Sequence, residues 1–63
     1  MIKAEDFIGR TKMAAQNLAE GKNMLFRLLS IDGDPYFSIP EDIRTDRVCI
    51  HITNGLVSAA TIQ

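Results

Sequence analysis

Cys49 and His51 stand two residues apart, and a thiol beside an imidazole is the simplest candidate nucleophile–base pair in the chain. On an extended strand that spacing puts both side chains on one face, within hydrogen-bonding reach. Nucleophilic catalysis also needs a third group to orient the base and donors for the developing oxyanion. No glycine-rich loop or helix start lies near Cys49 to provide them. The pair therefore reads as part of a half-exposed strand face, and the chain as not an enzyme. Asp32 and Asp34 flank Gly33 and suggest a cation, but calcium loops need more oxygen ligands at regular spacing. A turn explains Asp32-Gly33-Asp34-Pro35 in full, because glycine supplies positive φ and proline breaks regular pairing. One histidine and one cysteine cannot build a metal cage, so neither metal nor cofactor is expected. A third group, Arg27, Arg44 and Arg47, offers planar forks suited to phosphate or carboxylate. The plainer reading pairs Arg44 and Arg47 with Asp42 and Asp46 as braces of a loop.

The elements that must position these residues follow from periodicity. Sixty-three residues supply one hydrophobic core, hence one domain over 1–63. Gly9 closes the apolar pair Phe7-Ile8. Thr11 is suited to cap a helix, since its hydroxyl accepts a free backbone N–H. Lys12 to Glu20 is rich in helix formers, with Ala14, Ala15, Leu18 and Ala19 on one face and Gly21 as the terminator. From Asn23 the period becomes two, with Phe26 and Leu28 on one face and Leu25, Arg27, Leu29 and Ile31 on the other. Tyr36 to Ile39 reads as a short return strand ended by Pro40, and Glu41 to Asp46 as an exposed loop. Val48, Ile50 and Ile52 then alternate with Cys49, His51 and Thr53 up to Asn54-Gly55, the strongest two-residue hairpin signal. In a type I′ turn Val57 and Ala59 join the core face, while Leu56, Ser58, Ala60 and Ile62 point away. One helix covering one face of a small sheet makes the fold class α+β.

The order Phe7-Ile8-Gly9-Arg10, helix, strand, Asp32-Gly33-Asp34-Pro35 and Asp42-Ile43-Arg44-Thr45-Asp46-Arg47-Val48 resembles the potato inhibitor I group of serine protease inhibitors. It is more similar still to the bacterial peptidase inhibitor family related to that group. The resemblance spans essentially the whole chain. It implies a parallel pair between the first strand and the Arg47–Ile52 strand, and a rigid loop before Arg44 that enters a protease cleft as a substrate mimic. Rigidity matters because the ordering entropy is then met before binding. It further implies Glu41 at the primary specificity position, Asp42 as the acidic residue after it, and Arg47 as one of two arginines that anchor the loop. The second anchor falls on Cys49, and Pro40 replaces the usual threonine. A buried, unpaired glutamate would be rejected by trypsin-like and chymotrypsin-like clefts.

Two functions follow. One is a protease-inhibitor-like binding module presenting Ile39, Pro40, Glu41, Asp42 and Ile43 to a partner protein, such as a serine protease. The other is a homo-oligomer of phage or mobile-element type that sequesters a small anionic ligand, for example a signalling nucleotide, or blocks a host defence protein. In that reading Arg27, Arg44 and Arg47 clamp the anion, and Tyr36 or Phe37 stacks on it. Leu29, Ile31, Cys49, His51, Leu56 and Ile62 would gather on the outer sheet face as an interface. A net charge of −1 excludes nonspecific attraction to DNA, and no stretch has the length of a membrane span. The acidic start, Glu5-Asp6, lacks the apolar run of a signal peptide, and the lone cysteine suits a reducing cytoplasm.

Overall fold

A computed structural model describes residues 2–37 and 42–63. After a 3₁₀ turn at Ala4–Phe7 come helix α1 (Lys12–Gly21) and strands β1 (Leu25–Ile31), β2 (Asp34–Pro35), β3 (Arg47–Thr53) and β4 (Leu56–Ile62). The sheet order is β2-β1-β3-β4. β1 and β3 run parallel, and both outer pairings are antiparallel. The fold is a small α+β domain with one short helix on a mixed, open sheet.

The helix begins as its residues dictate, with the Thr11 hydroxyl accepting from the Ala14 amide at 3.2 Å. Its end differs from expectation. Gly21 is the last helical residue, and the left-handed position falls on Asn23 at φ 57°. The Asn23 amide donates to Glu20 O at 3.1 Å and the Met24 amide to Ala19 O at 2.8 Å, which is the Schellman pattern. Asparagine is the side chain that best tolerates that conformation after glycine, so it takes the role. Ala15 and Ala19 are fully buried, and with Phe7, Met24, Val48, Ile50, Ile52 and Val57 they make the core.

Two bulges correct the face assignments. Leu28 pairs with Ile50 but Ser30 pairs with His51, so β1 carries one extra residue at Leu29. Likewise His51 pairs with Ala59 and Ile52 with Val57, leaving Ser58 as the extra residue of β4. Each insertion reverses the alternation beyond it. Ile31, expected on the outer face, therefore packs against the core with Phe26 and Leu28. Ala60 and Ile62 turn core-ward in the same way, and Ala59 is displaced to an exposed position.

Both two-residue turns are tight. Asp32 and Gly33 have φ of 50° and 85°, and Asn54 and Gly55 have 52° and 81°, the all-positive signature of type I′. The first turn is so short that β1 meets its return strand at Asp34–Pro35, earlier than the Tyr36–Ile39 segment expected for it. Pro35 is accommodated because β2 is an edge strand. Ser38 and Ile39 lie outside the described residues. Gly9 to Thr11 line the far side of β4: the Gly9 amide donates to Val57 O at 2.9 Å and the Val57 amide to Arg10 O at 2.8 Å.

Candidate functional site

A buried side chain braces the residues that lead into β3. Arg47 opens β3 and is only 8% exposed, although it is a cation. A buried guanidinium requires partners for its N–H groups, and Arg47 finds them on two segments. Its Nη2 donates to Asp42 Oδ1 at 3.1 Å and to the Asp42 main-chain oxygen at 3.0 Å. Its Nε donates to the main-chain oxygen of Gln63 at 2.8 Å. The guanidinium thus ties the loop to the end of the last strand. Hydrogen bonding from Arg47, with the Asp42 main chain adding to it, holds the Asp42 carboxyl below its ordinary range.

A second, more exposed pair stiffens the same loop. Arg44 Nε and Nη2 donate to Asp46 Oδ1 and Oδ2 at 2.7 and 2.8 Å, a two-pronged fit of planar fork to carboxylate. The hydrogen bonds from Arg44 lower the Asp46 carboxyl and, in return, raise the Arg44 guanidinium. Between the two braces Ile43 is 89% exposed, the most exposed large apolar residue among those described. Tyr36 and Phe37, on the other flank of the loop, are also exposed, and the Arg27 guanidinium lies 5.3 Å from the Phe37 ring centroid. Ile39, Pro40 and Glu41, named from the sequence as part of the binding loop, lie outside the described residues.

No protein-family model, curated protein or solved structure matches this chain.

The three arginines are not assembled into one empty clamp. Arg44 and Arg47 are each committed to an aspartate, and Arg27 stacks over Phe37. The outer sheet face is also less open than its residue types suggested. Leu29 is 4% exposed and Cys49 is fully buried, both outside the main core cluster. Ile31 and Ile62 have left that face through the bulges, so His51 and Leu56 are the accessible remainder of the apolar patch read from the sequence. His51 does not bond Cys49. Its Nδ1 sits 2.6 Å from Ser30 Oγ, and among the described residues no carboxylate hydrogen-bonds its ring.

Sequence reasoning missed Ser30, Asp32 as a cap, and Gln63. Ser30 meets His51 only because of the Leu29 bulge, for which the sequence carries no signal. The Asp32 carboxylate accepts from the Asn54 amide at 2.8 Å, joining the two turns. An aspartate leading a glycine turn is a usable signal for that, since its short carboxylate caps nearby amides.

Proposed function

We propose that this domain is a non-enzymatic binding module that presents its 39–43 loop to a partner protein, in the manner of a potato inhibitor I-like protease inhibitor. The observation that carries this reading is Arg47, nine-tenths buried and bonded to both the side chain and the main chain of Asp42, with Ile43 standing free beside it. A loop braced from beneath loses little entropy on binding, which favours affinity and slow cleavage. The parallel β1–β3 pair and the Asp42–Arg47 contact agree with what the resemblance to that group implies. The acidic character of the loop around Asp42 suits a cleft that accepts carboxylates, so the favoured partner is a glutamate-specific or subtilisin-like serine protease.

The test is an inhibition panel of such proteases, run with the wild-type chain and with Arg47→Ala. Inhibition by the wild type that weakens, or converts to rapid cleavage between residues 41 and 42, in Arg47→Ala supports the loop. Absence of inhibition across the panel removes it. The anion-sequestering alternative has a specific obstacle. A phosphate at Arg44 and Arg47 would have to displace the carboxylates of Asp46 and Asp42.

A further inference from the structure

The two edges of the sheet are built differently. The β2 edge is two residues long and contains Pro35, the usual devices against unwanted strand pairing. The β4 edge has neither. Leu56 to Gln63 contains no charged residue and no proline. Gly9 to Thr11 cover its first part, bonding both main-chain groups of Val57.

Beyond the Ser58 bulge those main-chain bonds stop, although the Ala4–Phe7 turn still packs against β4. The Gln63 amide donates to Arg47 O at 3.1 Å, which sets the alternation along the antiparallel pair. Gln63, Thr61 and Ala59 turn their main-chain groups toward β3, so Ala60 and Ile62 turn theirs to the open edge. Among the described residues nothing outside the sheet bonds those groups.

We propose that this edge takes the same edge of a second copy of the chain, antiparallel, doubling the four-stranded sheet about a two-fold axis at Thr61. The segment is its own complement. Outward-facing Ala60 meets Ile62 of the second copy in a hydrogen-bonded pair, and the reverse pair repeats it. The two Thr61 residues oppose each other at the close, non-hydrogen-bonded position, where threonine pairs are favourable. On the core face a small residue lies opposite a large one, and the half-buried Ile62 gains cover. No charge on either strand opposes the approach. A 63-residue domain without disulfide has reason to gain burial in this way.

Light scattering across a concentration series tests the pairing. The wild type should approach twice the 7.0 kDa chain mass as concentration rises. Ala60→Pro deletes the outward N–H and, by symmetry, its twin, while leaving the bonds to β3 in place, so it should weaken association by roughly tenfold or more. Thr61→Glu sets two carboxylates face to face at the axis, should act likewise, and serves if the proline variant fails to fold. Thr61→Cys should give a disulfide-linked dimer on oxidation, whereas the wild type should not, because Cys49 is fully buried. A wild type that stays monomeric at its highest soluble concentration overturns the proposal, as does a dimer that neither Ala60→Pro nor Thr61→Glu weakens.

Discussion

The two ends of the β1–β3 pair are closed by different means. At one end Ile31 and Thr53 run into tight glycine turns, and the Asp32 carboxylate accepts the Asn54 amide to join them. At the other end Leu25 and Arg47 begin the strands, and a single buried guanidinium gathers the loop and Gln63. Each turn at the first end takes its geometry from two neighbouring residues, while the Asp32–Asn54 bond that joins the turns spans 22 positions. The loop end depends on contacts to residues 5 and 16 positions away, through one side chain. Local chemistry makes the first end robust, whereas the second rests on Arg47.

The comparison can be broken or sharpened by experiment. Arg47→Ala should have the largest effect, a loss of about 2–3 kcal/mol in urea unfolding, because bonds to a charged group on two segments go together. Asp32→Ala should cost about 1–2 kcal/mol, one exposed cap plus the strain of alanine at a positive φ. An Asp32→Ala loss equal to or above that of Arg47→Ala would reverse the ranking of the two ends. The ends lie about 20 Å apart along β1, so the double variant should show additive losses to within about 0.5 kcal/mol. A larger deviation would mean that the ends communicate through the strands.

The smallest effect concerns pH. The carboxyls of Asp42 and Asp46 are both held below their ordinary value of 3.8. A depressed folded-state value contributes stability that is fully present above 3.8 and is lost as pH falls through the lower folded values. Melting temperature should therefore show a slight loss below pH 4 from these groups. Asp42→Asn should flatten part of that loss, whereas a profile unchanged by the substitution would detach Asp42 from the brace. Solvent exposure of both carboxylates keeps the amplitude small.

How much of this was legible follows the same division. Thr11, Val48-Ile50-Ile52, Asp32-Gly33 and Asn54-Gly55 carry their structure in their own chemistry, so helix, central strand and both turns were readable. The Asp42–Arg47 brace was readable from the opposite charges that bracket the loop. The bulges at Leu29 and Ser58 were not, since an inserted residue is chosen by the packing of both strands against β3 and not by its own type. Every misassigned face, at Ile31, Ala59, Ala60 and Ile62, lies beyond one of those insertions. Gly21 was misread for a simpler reason: the chain had a second residue, Asn23, able to take the left-handed position.

Cys49, finally, gives the molecule a clock. It is the single thiol of the chain, it lies in β3 two residues after the bracing arginine, and solvent does not reach it. A thiol reagent can react only during openings that expose this strand, so its labelling rate in native buffer counts those openings one by one. Because no other sulfhydryl competes, that rate reads how often the protein lets go of its centre, with no engineered cysteine and no ligand.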